Sequence, residues 1–222
     1  MIAVLDYGIG NLRSAEKALQ HLGAPAVLTA DAGDARRATG VVLPGVGAFG
    51  RCMEELRACG LEEVARDAVG EGKPFLGICV GMQMLFEASD ETPGVPGIGL
   101  LGGAVRRLPP GLRTPHMGWN DLEIRSGSAL LAGLPERPYV YFVHSYAPVP
   151  DDPDVVAATT DYGGPVVAAV EQGPLWATQF HPEKSGANGL AVLANFVRAC
   201  GFDVAEAAAI SASPRGPGSS SR

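Results

Sequence analysis

Basic charge is in short supply in this chain. Lys and Arg number 17 against 24 Asp and Glu, a formal charge of −7 over 222 residues. No basic face of the kind that holds nucleic acid or an anionic membrane surface is therefore expected. Cysteine is also sparse. The four residues, Cys52, Cys59, Cys79 and Cys200, show no paired spacing, which gives neither a disulfide framework nor a zinc site. No apolar run approaches a membrane span, and the start, Met1-Ile-Ala-Val-Leu-Asp6, has no basic region ahead of a long apolar stretch. The cytoplasm is the default location. No Gly-Lys-Ser/Thr follows the glycine-rich Pro44-Gly-Val-Gly47, which excludes a Walker A loop, and Gly8-Ile-Gly10 is too short for a dinucleotide fingerprint. Neither a cofactor nor a metal is expected.

What is present is an ordinary globular composition, 46% hydrophobic and 18% charged, in a chain long enough for one domain with a substantial core. In the first half, Ile2–Tyr7, Ala26–Thr29, Val41–Leu43 and Phe75–Cys79 read as short strands. Asn11–Leu22 reads as a helix, with Leu12, Ala15, Leu19 and Leu22 on one face and Gly23 as its stop. Phe49 to about Val69 carries helical periodicity interrupted near Gly60, and Val80–Ala88 reads as a further helix. This alternation points to an α/β fold with a mostly parallel central sheet flanked by helices. In the second half, Leu100–Leu108, Tyr139–Val149, Val155–Thr160, Val166–Glu171 and Leu175–Phe180 look like strands joined by turns, without helices between them. They suit an antiparallel extension of one sheet edge, and Gly189–Cys200 restores a helix. One domain over residues 1–202 is expected, followed by a disordered Ser-, Gly- and Pro-rich tail at 203–222.

The run Pro74-Phe-Leu-Gly-Ile-Cys79-Val-Gly-Met-Gln83 is an apolar strand that stops on a cysteine and turns through glycine into a helix. Such a turn projects a thiol out of the sheet edge, where a helix N-terminus stabilises thiolate over thiol. The other three cysteines read as small buried hydrophobes. Downstream, Thr178-Gln-Phe-His181-Pro-Glu183 ends another apolar run with a base and a carboxylate two residues apart, and alternation in an extended segment would send both to one side. Cysteine, histidine and acid at strand ends make a nucleophilic triad the leading reading. Four loops follow strands: Asp6–Asn11, Pro44–Gly47, Gly77–Gly81 and His181–Glu183. In α/β sheets the ligand crevice lies beyond the carboxyl ends of the strands, so one site built from all four is expected. Gln83 lies one helical turn beyond Cys79 on the same face. His144-Ser145-Tyr146 reads as a strand rim, and His116-Met-Gly-Trp-Asn120 as a loop.

Gly-Ile-Cys79-Val-Gly-Met-Gln83 with Gln-Phe-His181-Pro-Glu183 resembles the class I glutamine amidotransferases. Asp6-Tyr-Gly-Ile-Gly-Asn11, Pro44-Gly-Val-Gly-Ala-Phe49, Phe142-Val-His-Ser-Tyr146 and His116–Asn120 narrow the resemblance to glutaminase subunits of imidazole glycerol phosphate synthase, over about residues 2 to 200. The resemblance implies that Cys79 attacks the carboxamide of glutamine, that His181 shuttles the proton and that Glu183 orients it. It implies an oxyanion held by N–H groups of Val80 and of the Gly45–Gly47 turn (Val46), with Gly45, Gly47, Gln83, Ser145 and Tyr146 holding glutamine. It further implies a (β/α)8-barrel cyclase partner that receives ammonia across an interface including Asn11, Trp119 and Lys184. The alternatives are a glutaminase serving another synthase, a catalytically silent subunit of the same fold and, more distantly, a cysteine peptidase.

Overall fold

The computed structural model describes residues 1–10 and 12–204; Asn11 and residues 205–222, most of the expected tail, lie outside the described residues. The chain opens with β1 (Ile2–Leu5), all four residues buried. It continues through α1 (Leu12–His21), β2 (Ala26–Thr29), α2 (Ala32–Arg37), β3 (Gly40–Gly45), α3 (Phe49–Ala58), α4 (Leu61–Gly70), β4 (Phe75–Cys79) and α5 (Val80–Gln83). Strands buried on both faces and joined by amphipathic helices can be satisfied by a parallel sheet with helical crossovers. β2, β1, β3 and β4 lie side by side in that way. α1 presents Leu12, Ala15 and Leu19 to the core and packs beside the last helix, Gly186–Ala199, while α2 and α3 pack against α4. The long helical pattern divides where expected, because Gly60 sits at φ +67° between α3 and α4.

α5 is shorter than the Val80–Ala88 helix read from the sequence. Past Gln83 the N–H groups of Leu85 and Phe86 reach back only three residues, to Met82 and Gln83. The carbonyls of Met84, Leu85 and Phe86 accept instead from the N–H groups of residues 98–101. A helix cannot extend once its acceptors are taken by another segment.

The second half supplies β5 (Ala88–Ser89), β6 (Gly103–Arg107), β7 (His116–Asp121), β8 (Glu123–Ile124), β9 (Tyr139–His144), β10 (Tyr146–Pro150), β11 (Val156–Asp161), β12 (Pro165–Gln172), β13 (Leu175–Thr178) and α6 (Gly186–Ala199). β13 joins the sheet parallel to β4, and β12, β11 and β8 follow antiparallel, giving the order β2-β1-β3-β4-β13-β12-β11-β8. The antiparallel strands therefore extend one edge of the sheet, as expected. Two details differ from expectation. The run Tyr139–Val149 breaks at Ser145 into β9, paired with β7, and β10, paired with β6. His116–Asn120 is strand, not loop. Its alternation is inverted, with His116 buried while Met117 and Trp119 are exposed, so the hydrophobic pattern conceals the strand.

The sheet reaches this packing only where side chains are absent. A Cβ at Gly81 would overlap the carbonyl oxygen of Leu43 in β3, whereas one at Gly70, near the end of α4, meets nothing within 4 Å. Gly81→Ala is expected to lower stability by about 3 kcal/mol, read from the urea unfolding midpoint. Gly70→Ala should leave it unchanged or raise it by about 0.5–1 kcal/mol.

Candidate active site

β4 ends on Cys79, whose backbone sits at φ +56°, ψ −111°. It is the one non-glycine residue with positive φ among the described residues. A side chain pays a strain cost there, and such positions persist where the surrounding structure dictates them. The neighbours dictate it here: a Cβ at Gly77 would come to 3.0 Å from the Gly81 carbonyl oxygen, and Gly81 itself lies against β3. The Gly-x-Cys-x-Gly pattern thus lets chain segments close around the cysteine while its thiol turns outward to the site. α5 has only four residues, so the helix-terminus field expected from the sequence is small.

Beyond β13 the chain delivers His181 and Glu183. They do not meet by strand alternation: His181 is extended, but Pro182–Lys184 is a turn of 3-10 helix, which brings Glu183 back over the ring. His181 Nδ1 lies 2.8 Å from Glu183 Oε1, with both side chains almost wholly buried. The loop is tied to β9: the His181 N–H donates to the Tyr141 carbonyl at 3.0 Å. The Tyr141 N–H in turn donates to Ser185 Oγ at 2.9 Å, and that hydroxyl donates to the His181 carbonyl at 2.7 Å. Burial works against the imidazolium, but Cys79 and Glu183 beside the ring outweigh it, and the His181 pKa rises to about 9. His181 Nε2 is buried without a hydrogen-bond partner, and so is Glu183 Oε2.

A cavity of about 240 Å³ opens over the thiol, lined by Val46, Gly47, Cys79, Val80, Gln83, Ser145, Tyr146 and His181 together with Glu91, Pro115, Val143 and His144. Segments far apart in sequence therefore meet at one place, at the carboxyl ends of β3, β4 and β13. Two expected members stand back from it. Gly45 lies behind the wall, where a Cβ would come to 2.7 Å from the Gly81 nitrogen. The described part of the Asp6–Asn11 loop, residues 6–10, does not line the cavity. It acts from beneath, through Tyr7, whose hydroxyl donates to the Pro44 carbonyl at 2.6 Å. Cys52 Sγ donates to the Val46 carbonyl at 3.3 Å. Burial pushes the Tyr7 phenol far up and the Cys52 thiol to about 11, so both keep the protons they donate. Cys52 and Cys200 are buried as expected, whereas Cys59 is exposed, since it caps α3 on the solvent side.

Gln83 is 4% exposed, and its amide nitrogen donates to the Tyr146 carbonyl and to Gln179 Oε1, both at 3.0 Å. Only its carbonyl oxygen is left for a ligand. Gln179, fully buried, then donates to Cys79 Sγ at 3.7 Å. The sequence reading passed over Gln179, though an amide two residues before His181 inside an apolar run was a visible signal. Outside the cavity, Trp119 is 55% exposed on β7, in edge contact with Tyr141, and Lys184 is exposed one residue past the acid. Among the described residues no group of three or more His, Cys, Asp or Glu is placed to hold a metal, and no helix is long and apolar enough to cross a membrane.

Two histidines give stability opposite slopes with pH. His181 keeps its proton up to about 9 against 6.5 ordinarily, so its contribution is complete below about 6.5 and lost as pH rises to about 9. Burial holds His144 down to about 4, so its contribution is complete above about 6.5 and lost as pH falls to about 4. Unfolding free energies from urea titrations are expected to fall away on both sides of about pH 6.5, by about 1–3 kcal/mol on each limb. His144→Asn should flatten the acid limb in part, since burial also holds down His116, and leave the alkaline limb unchanged.

The family description "Glutamine amidotransferase class-I" matches residues 3–200. The imidazole glycerol phosphate synthase subunit HisH of Methanothermobacter thermautotrophicus is 53% identical over 197 residues, covering 89% of this chain and 98% of that protein. HisH of Deinococcus radiodurans is 50% identical over 199 residues, with 89% and 93% covered. Among solved structures, a glutamine amidotransferase crystal structure aligns with a TM-score of 0.71 at 26% identity, covering 90% of this chain and 99% of that one. The glutaminase domain of Trypanosoma brucei CTPS with bound acivicin shares the fold, with a TM-score of 0.66 at 19% identity over 91% and 94% of the two chains. A Cys79–His181–Glu183 constellation beneath one cavity, in a chain half identical to HisH proteins, leaves one assignment: the chain belongs to the class I glutamine amidotransferase family.

Proposed function

We propose that this chain is the glutaminase subunit of an imidazole glycerol phosphate synthase. The observation that carries the reading is the meeting of Cys79, His181 and Glu183 at one cavity, in a chain about half identical to HisH subunits. Cys79 Sγ attacks the side-chain carbon of glutamine, its proton having already passed to His181 Nε2, whose ring keeps a proton up to about 9. The carbon–nitrogen bond breaks, the proton passes from His181 to the leaving nitrogen, and ammonia departs from a thioester. Water, deprotonated by the same ring, then hydrolyses the thioester to glutamate. A buried Nε2 with no protein partner suits this work, and Glu183 on Nδ1 leaves Nε2 as the nitrogen that exchanges its proton with sulfur and substrate.

The oxyanion is assigned to the N–H groups of Val80 and Val46. Val80 opens α5, where an N–H has no intrahelical acceptor. Val46 sits in a turn whose flanking carbonyl, that of Pro44, is drawn down by Tyr7. Losing one such donor typically costs about 2.7–4 kcal/mol of transition-state stabilisation. Gly47, Gln83, Ser145 and Tyr146 face the substrate, and Gly45 contributes by letting the turn lie close to α5. The cavity suits a free amino acid better than a peptide, since it is small beside ordinary ligand clefts.

Ammonia is useful only while unprotonated, which favours delivery through a protected interface. The proposed receiver is a (β/α)8-barrel cyclase that converts a phosphoribosyl-formimino substrate into imidazole glycerol phosphate and an aminoimidazole carboxamide ribotide, in the cytoplasm. Its docking face is assigned to the side carrying Trp119 and Lys184, because Met117, Trp119 and Tyr139 are exposed on the β7–β9 ribbon. Asn11 is added on the strength of the family resemblance alone. Residues 1–202 would form the working unit.

Glutamate release from glutamine is expected to be low for the chain alone and to rise steeply with the cyclase and its ligand. Cys79→Ala should abolish it and Glu183→Gln should lower kcat about 10²-fold or more. Lys184→Ala is expected to weaken the partner-stimulated rate more than the basal one. No stimulation by that cyclase would reassign the subunit to another synthase.

A further inference from the structure

The inner face of the β7–β9 ribbon carries two buried histidines that the triad does not use. His116 is 4% exposed and stacked between the rings of Phe142 and Tyr162, at 4.8 and 4.0 Å. Its Nδ1 lies 3.0 Å from His144 Nε2, and His144 Nδ1 lies 2.9 Å from the Tyr146 carbonyl oxygen. A carbonyl only accepts, so His144 carries its proton on Nδ1. Its Nε2 then accepts, and His116 must donate from Nδ1. His116 Nε2 is left as an acceptor facing Asn120 Nδ2 at 3.4 Å, an amide whose orientation is fixed because its Oδ1 accepts the Asp121 N–H at 3.0 Å. Both rings therefore hold the Nδ1–H tautomer, the less favoured one in water. Burial lowers the proton affinity of both, which keeps them neutral.

The Tyr146 carbonyl accepts a second N–H, from Gln83, whose same nitrogen donates to Gln179 Oε1. Gln179 in turn donates to the sulfur of Cys79. The geometry points to a continuous buried line from the ribbon to the nucleophile, in which His116, His144, Gln83 and Gln179 are positioning residues that set the orientation of the Cys79 thiol. Donors converge on the Tyr146 carbonyl from both sides, so the line cannot conduct a proton. It transmits position. This rests on the glutaminase reading, under which the outer face of the same ribbon receives the partner: a shift of Trp119 reaches His116 within one strand and the sulfur through the line.

The test uses the full chain, with turnover measured alongside the cyclase, and alkylation of Cys79 by iodoacetamide and ¹⁵N NMR of the histidines measured on the chain alone. His116→Phe keeps a ring between Phe142 and Tyr162 but removes the donor to His144. It is expected to lower kcat and the Cys79 alkylation rate about 10-fold, with the KM for glutamine changed less than about 2-fold. His116→Asn, whose amide N–H can replace Nδ1–H, should restore both to within about 3-fold. Gln179→Met should reproduce the loss without touching the ribbon, and the NMR spectra should show both rings as Nδ1–H. An Nε2–H tautomer at either ring would overturn the proposal. So would wild-type alkylation rates in His116→Phe and Gln179→Met, or equal losses in the Phe and Asn variants that follow only their melting temperatures. If the wild-type chain releases no glutamate under any condition, the glutaminase reading fails, while alkylation and tautomers still decide the line.

Discussion

One close approach governs this site: the backbone of α5 lies against the Leu43 carbonyl of β3 with no side chain between them. Because Gly81 permits that contact, α5 packs over the ends of two adjacent parallel strands instead of standing off from the sheet. The chain must then reverse sharply at the end of β4, and the residue at the reversal takes φ +56°. Nothing in cysteine favours that conformation. The sheet imposes it, and the imposed turn is what directs the sulfur to the cavity. Gly45 belongs to the same constraint from the other side, since it faces the Gly81 nitrogen.

The base is positioned by different means. His181 hangs from a 3-10 turn and is fastened through the backbone of Tyr141 and the hydroxyl of Ser185, so its placement depends on β9 as much as on β13. β9 is also the strand on which the Trp119-bearing β7 is paired. Nucleophile and base are thus held by two separate bodies of structure, the parallel sheet and the outer ribbon. Their separation depends on how those two pack together, with Phe142 and Phe180 meeting edge to face, 6.0 Å apart, between them. A ribbon that moved as a unit would move the base relative to the sulfur.

The parts of this molecule legible in the sequence are those whose pattern is local. Short apolar runs located β1 through β4, helical periodicity located α1 and the break at Gly60, and the two short motifs around Cys79 and His181 located the triad. What escaped was set by partners distant along the chain. α5 ends early because residues 98–101 take its acceptors, and β7 was hidden because its polar residues face inward against His144 and Asp161. Glu183 reaches His181 through a turn that alternation does not describe, and Gln179 acquires its place only when β13 is laid beside β4. Composition places no residue at a distance, so such contacts need the fold.

Glu183 Oε2 has consequences beyond orienting a ring. A carboxylate oxygen buried without a protein donor carries a deficit of about 1–3 kcal/mol or more for a charged group. The deficit shrinks once the neighbouring imidazole becomes a cation, because an ion pair at 2.8 Å in a low-dielectric setting recovers much of the lost solvation. His181 keeps its proton up to about 9, so this pairing is already in place in the resting site. The base therefore meets glutamine already charged, and its ion pair with Glu183 is made by folding, before the first chemical step.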